Sequence, residues 1–418
     1  MTTSLPARPS LENLKKQAKT LLKSHSSGDA GACTVLRRLH RFSGLSDEQI
    51  LGSKLSLAEA QYALAMEYGF PSWSALKDAV KGKEHEARFL HRMCGDLAAE
   101  TLRRSGAPGL VRVWYDPYTE GPVPSGVSDD EWFALRGGTV LDRLDTVENA
   151  VRFFREMYGR LEEYPNYSEV VLWFDACLFD QTILIHHLDW FSRRDMGKTK
   201  LSLVCIGEFP GMPKFAGFGQ LRPDQMPSLL NARREVTKNE TDLATRAWAA
   251  YRSSDPTAVQ ELMNTDTTAL PYLAPAFRRH LQRFPSTRNG LSRQEQESLE
   301  VIAQGHGVFA DIFSRVWDME DPPYFNEGML VAQLEALAEA PQPLLVMEGH
   351  EFTQGLRRYE WPFRRISFSL TDLGRAVLED TADWVRTNGI DRWLGGVHLQ
   401  GRESQWRWDE ETGRLVGM

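Results

Sequence analysis

The pattern of apolar and polar positions changes character along the chain. Between residues 9 and 80 it is helical: Leu11, Leu14, Ala18, Leu21 and Leu22 keep helical spacing, with Lys15, Lys16, Lys19 and Lys23 around them. Ser56-Leu57-Ala58-Glu59 has the form of a capping box opening a second helix through Tyr68. Gly69 stands where a helix ends, and Pro71-Ser72-Trp73 restarts the chain into a short helix. Lys81-Gly82-Lys83-Glu84 reads as a linker. From 87 to 235 the pattern switches to strand-length apolar runs (88–94, 110–115, 168–174, 200–206) separated by helical stretches (96–105, 145–162, 178–193, 223–232). Strands alternating with helices predict a parallel, Rossmann-like α/β sheet. Residues 239–340 return to helical periodicity, carried by Trp248, Tyr251, Leu262, Leu273, Phe277 and Leu281. Residues 343–418 mix short strands with one helix opening near Ser369, and Trp393–Leu399 with Gln405–Asp409 reads as a hairpin. The expected organisation is an N-terminal helical module over 1–82, an α/β domain over 86–236, a helical domain over 237–342 and a small α+β unit over 343–418.

Chemistry collects at the strand ends. Val170-Val171-Leu172-Trp173-Phe174 runs into Asp175-Ala176-Cys177 and then Asp180-Gln181; the run 89–94 ends in Cys94-Gly95-Asp96; the run 110–115 ends in Asp116. Open α/β sheets bind ligands outside the carboxyl ends of their strands. The expectation is one shared crevice in which Asp96, Asp116 and Asp180 act as acid/base or metal-binding groups. Cys94, Gly95, Gly121, Pro122, Trp173, Asp175 and Gln181 would line it, and Arg136 would hold an anion. The competing structural readings are that Asp96 caps the following helix, that Asp180 caps or orients a turn, and that Gly121-Pro122 is a rigid turn. The Gly- and aromatic-rich stretch 207–220 reads as a lid or as an ordinary long loop. No GxGxxG, P-loop, HExxH or CxxC pattern occurs, so no cofactor is indicated, and neither His186-His187 nor the four separated cysteines suggest zinc.

With these residues in view, 87–410 resembles a bacterial family of unknown function. The resemblance rests on Cys94-Gly95-Asp96, Trp114-Tyr115-Asp116 with Gly121-Pro122, Leu172-Trp173-Phe174 with Asp180-Gln181, and Asp372-Leu373-Gly374. It implies a Rossmann-like domain followed by a separate C-terminal domain, and it brings no established reaction. Members commonly carry Glu-His-Asp where this chain has Asp175-Ala176-Cys177, and the missing histidine weighs against a metal or general-base role there. Residues 13–73 resemble a helical module that precedes ankyrin arrays in bacterial proteins, which implies an interaction role and a protein partner. No ankyrin period follows.

At 418 residues the chain is long enough for several cores, and its 42% hydrophobic and 25% charged content is that of a globular protein. A net charge of −8 argues against specific nucleic-acid or anionic-membrane binding. Gly290–Gly305 resembles the opening of a helix-turn-helix, but it is acidic. No run approaches the ~18 apolar residues of a membrane span, no signal run opens the chain, and the cysteine usage fits a reducing cytoplasm. Two functions follow as expectations. One is an enzyme acting on a phosphorylated, nucleotide-like or sugar-like small molecule. The other is a non-catalytic regulatory protein with a ligand-sensing sheet and a winged-helix-like C-terminal half.

Overall fold

The computed structural model describes residues 10–86, 88–139, 146–349 and 365–417. The N-terminal segment folds as α1 (Leu11–Ser26), α2 (Gly31–Leu36), α3 (Asp47–Leu51), α4 (Leu57–Glu67) and α5 (Trp73–Glu86). The expected capping box at Ser56 forms reciprocally with Glu59, and a second one, Ser46 with Gln49, opens α3. Two small cores hold these helices: Leu36, Phe42 and Ile50 around Cys33, and Leu14, Ala18, Leu76 and Val80 around Ala65. The helix α4 supplies residues to both. The expected linker at Lys81–Glu84 is helical instead, because α5 runs on to Glu86. One interior glycine, Gly82, costs a helix only about 1 kcal/mol and no proline follows to stop it. Because both cores are internal, a chain starting at residue 85 is expected to stay soluble and melt cooperatively in a calorimetric scan. An insoluble or molten truncation would show that these helices complete the fold of the remainder.

The central part contains β1 (Phe89–Cys94), α6 (Asp96–Arg104), β2 (Leu110–Trp114), α7 (Asp129–Thr139), α8 (Val147–Gly159), β3 (Glu169–Asp175), α9 (Leu178–Ser192), β4 (Lys200–Ile206), α10 (Met226–Asn231) and β5 (Arg234–Glu235). The strands form one five-stranded, mostly parallel sheet in the order β2-β1-β3-β4-β5. Its last strand is antiparallel, pairing Leu203 with Arg234. Every residue of β3 is buried, as its unbroken apolar run demands of a strand covered on both faces. Burial also extends almost all round α9, against which α11 (Lys238–Tyr251) and α13 (Leu273–Leu281) pack, with α12 (Thr257–Met263) between those two in the chain.

The rest comprises α14 (Arg293–Ala303), α15 (Phe309–Met319), α16 (Glu327–Ala338), β6 (Leu345–Glu348), β7 (Ser367–Leu370), α17 (Asp372–Leu378), α18 (Trp384–Asn388), β8 (Ile390–Leu394), β9 (Val397–Gly401), β10 (Trp406–Asp409) and β11 (Arg414–Gly417). Leu299, Phe309, Ile312, Leu330, Leu345, Phe368 and Val377 belong to one core. The single hairpin expected from 393–399 and 405–409 is two hairpins: Gly395-Gly396 turns β8 into β9, and β10 pairs with β11. By contacts the chain divides into two units. One gathers the N-terminal helices with Pro108–Leu110 and Asn166–Val170; the other gathers Arg92–Ala107, Val111–Pro165 and the chain from Val171 onward.

Candidate functional site

The strand order places the reversal of winding between β1 and β3, since the chain leaves β1 towards β2 on one side and later continues from β3 towards β4 on the other. Ligand crevices of open α/β sheets lie at such a point. Here β1 ends in Cys94 and β3 ends in Asp175. The carboxylates of Asp175 and Asp180 and the thiol of Cys177 have ligating atoms all within 4.8 Å of one another, and all three residues are buried. Local backbone geometry builds this cluster. Cys177 is the N-cap of α9, its Sγ accepting from the Asp180 N–H at 3.5 Å. The Asp175 N–H donates to Asp180 Oδ2 at 2.8 Å, and the Cys177 N–H donates to Asp175 Oδ1 at 2.9 Å. Gln181 Nε2 donates to the Asp175 carbonyl at 2.6 Å and to Cys205 Sγ at 3.5 Å. The Cys94 thiol is close enough to both acids for their charges to act on it.

The electrostatics are unbalanced. Among the described residues, no Lys, Arg or His forms an ion pair with Asp175 or Asp180. Burial raises the pKa of both carboxyls, and the charge of Asp175 pushes Asp180 further up. Burial, then the two acids, push Cys94 and Cys177 well above the ordinary thiol range; burial takes Cys205 to about 12. These sulfurs are therefore protonated thiols, not nucleophilic thiolates. Two neighbouring buried carboxyls cannot both ionise cheaply, so they titrate as a pair that shares a proton. Gly217 lies directly over the Asp175 carboxylate. A Cβ there would stand 2.5 Å from Asp175 Oδ2, and its φ of 111° is one that side chains rarely adopt. The 207–220 loop thus covers the strand end, and Phe218 meets the Trp173 ring edge-on at 5.6 Å.

Other expected site residues have different surroundings. Asp96 is the first residue of α6 rather than its cap, a place taken by Gly95. It accepts a 2.6 Å hydrogen bond from the Tyr115 hydroxyl, whose pKa burial and this bond push up to about 12. Asp116 is fully buried and bound by Arg136, Nε at 2.8 Å and Nη2 at 2.5 Å, and by the Tyr158 hydroxyl at 2.8 Å. Arg136 is equally buried and its other N–H groups donate to the carbonyls of Pro117, Glu120 and Pro122. All five guanidinium donors are used, so the expected anion-holding role of Arg136 has no donor to rest on. Burial opposes its charge most strongly, but Asp116 with Tyr158 and Tyr118 together outweigh that and raise its pKa. The Gly121-Pro122 loop turns carbonyl oxygens, not N–H groups, towards this cation, which is the opposite of an anion cradle. Trp173 is fully buried and cannot wall a ligand. Asp96, Asp116 and Asp180 thus each have their own partners, and the acids that meet are Asp175 and Asp180.

His186 and His187 are buried among aromatic rings. Burial holds His186 well below the usual histidine range and His187 at about 3, so both are neutral. The sequence contained one overlooked signal: Cys177-x-x-Asp180 has the spacing of a capping box, with a thiol in the place of the usual hydroxyl. Tyr158 and Gly217 carried none, because only the folded chain brings them to Asp116 and Asp175. No family model matches the chain, and no curated protein matches it.

Proposed function

We propose that the chain is an enzyme performing hydrolysis or group transfer on a small phosphorylated, nucleotide-like or sugar-like molecule at the end of β1 and β3, with Asp175 and Asp180 as its acid–base pair. The observation that carries this reading is a pair of buried carboxyls with no cation opposite them among the described residues. A purely structural turn has no use for the charge, since Asn would accept the same backbone hydrogen bonds without it. Uncompensated acids cost stability, and such groups concentrate where chemistry needs them. Sharing one proton, the pair holds a donor and an acceptor side by side, the division of labour that general acid–base catalysis requires. Cys177 adds a soft donor, so the three clustered groups also suit a divalent ion of the zinc type once their protons leave. The 2-1-3-4-5 strand order supports a Rossmann-like, doubly wound sheet. Substrate entry requires the 207–220 loop to lift from Asp175.

A thermal-shift series with glucose 6-phosphate, AMP and zinc chloride, singly and combined, tests this reading. At least one of these is expected to raise the melting temperature of the wild type and to leave an Asp175→Asn/Asp180→Asn variant unchanged. If the variant responds as the wild type does, or if neither responds, the acids are scaffolding and the non-catalytic regulatory reading takes over. Duplex DNA is not the expected ligand in either case. The helix following α14, which a helix-turn-helix would place in the groove, carries Asp311 and Asp318 against one Arg315.

A further inference from the structure

We infer that Lys214 is a latch holding the 207–220 loop shut over Asp175, so that the C-terminal end of α15 controls access to the strand-end site. That Asp175 is the group served rests on the acid–base reading above; the latch itself rests on the contacts of the loop. Gly217 brings the loop backbone onto the Asp175 carboxylate, where even a Cβ would stand 2.5 Å from Oδ2. The loop covers this acid without bonding it: Asp175 Oδ1 accepts from the Cys177 N–H of its own turn, and no hydrogen bond joins Asp175 to the loop among the described residues. What keeps the loop down must therefore lie elsewhere along it.

Two kinds of attachment do this. One is apolar: Phe215 and Phe218 are buried and meet each other edge-on, and Phe218 meets Trp173. The other is Lys214, the one Lys or Arg in 207–220. Its Nζ donates to the carbonyls of Trp317 and Asp318, both at 2.9 Å, and stands 3.7 Å from Asp318 Oδ1 and 4.9 Å from the Trp317 ring centroid. These carbonyls belong to the last turn of α15, which ends at Met319. The last four carbonyls of a helix have no partner within it and carry the negative end of its dipole, so a cation is favoured there. Lys214 thus caps α15 from a segment 103 positions away. A latch must also release. The Lys214 side chain is 30% exposed and that of Asp318 70%, so both regain water at little desolvation cost when they part. Gly211 and Gly217, with φ of 81° and 111°, flank Lys214 and give the loop torsional freedom on either side of it. The apolar attachments are indifferent to charge, whereas the Lys214 contacts are lost whenever the end of α15 shifts or acquires another cation.

Carboxyl labelling of the full chain with a water-soluble carbodiimide and glycine methyl ester, mapped by tandem mass spectrometry, tests the latch. The reagent modifies carboxyls that it can reach, so the rate at Asp175 reports opening of the loop. Asp116, fully buried against Arg136 and away from the loop's contacts, reports opening of the fold as a whole. Lys214→Met is expected to label Asp175 at least about fivefold faster than the wild type, as the loss of a hydrogen bond to a charged group implies. Lys214→Arg keeps a cation with N–H donors for the two carbonyls and should label at the wild-type rate. Asp116 should stay unlabelled in all three proteins. An unchanged Asp175 rate in Lys214→Met overturns the inference. So does acceleration of Asp175 and Asp116 together, because the opening would then be unfolding and not release of a loop. The readout is access, not turnover. Faster labelling in Lys214→Met, with no response of any protein to glucose 6-phosphate, AMP or zinc chloride, would keep the latch and sink the acid–base reading.

Discussion

Replacing Asp180 by Asn is expected to make the protein more stable at neutral pH while removing its response to substrate-like ligands. Asn retains an oxygen to accept the 2.8 Å bond from the Asp175 N–H and removes a buried carboxyl that no cation among the described residues offsets. The sign of the pH dependence follows from the direction of the shift. Both carboxyls have folded pKa values raised above 3.8, so the folded state holds protons that the unfolded state releases. The stability this brings is fully present below pH 3.8 and is lost as pH rises through the raised folded values. Where the pair is ionised the wild type has lost that contribution. The variant should therefore exceed it there by about 1–2 kcal/mol in urea unfolding, the usual gain when a functional group is removed for stability. The gap should close on acidification towards pH 4. A variant that is less stable than wild type at pH 7 would show that the charge is compensated and structural.

The opposite result is expected at the other buried acid. Arg136→Met should cost about 3–5 kcal/mol, because it leaves Asp116 buried with only Tyr158 to solvate it and frees the carbonyls of Pro117, Glu120 and Pro122. Asp116→Leu should cost a similar amount by stranding the guanidinium. The double variant should recover a substantial part, since two apolar groups replace a fully desolvated pair. A double-mutant cycle by urea unfolding measures this coupling. Single losses under about 1 kcal/mol would mean that water reaches the pair and that it does not hold the 116–122 loop.

These two acids show what the linear pattern could and could not reveal. Both follow apolar strands, and strand-end logic ranked them alike. The strands themselves were legible: the unbroken run before Asp175 reads as a doubly covered strand, and the alternation of strands with helices implies the parallel sheet that forms. The Ser56 capping box was equally local and equally legible. Partner choice was not. Arg136 reaches Asp116 across 20 positions and Tyr158 reaches it across 42, and no short-range pattern encodes either contact. The Asp175–Asp180 pairing is local, but it was obscured because a cysteine, not a serine, caps α9. Lys81–Glu84 misled for the reverse reason: polar residues and a glycine resemble a linker, yet nothing in them forbids a helix to continue.

In the proposed acid–base centre Asp175 and Asp180 form one proton-sharing pair. Carbon-13 NMR of the side-chain carboxyls across pH, comparing wild type with Asp175→Asn and Asp180→Asn, measures this directly. A wild-type signal is expected to titrate well above the ordinary carboxylate range and to be lost in the Asp180→Asn spectrum, its partner returning towards that range when the neighbouring charge is gone. If every aspartate of the wild type titrates in the ordinary range, and the two variants differ from it only by the missing signal, the pair carries no shared proton and the proposed acid–base centre is contradicted.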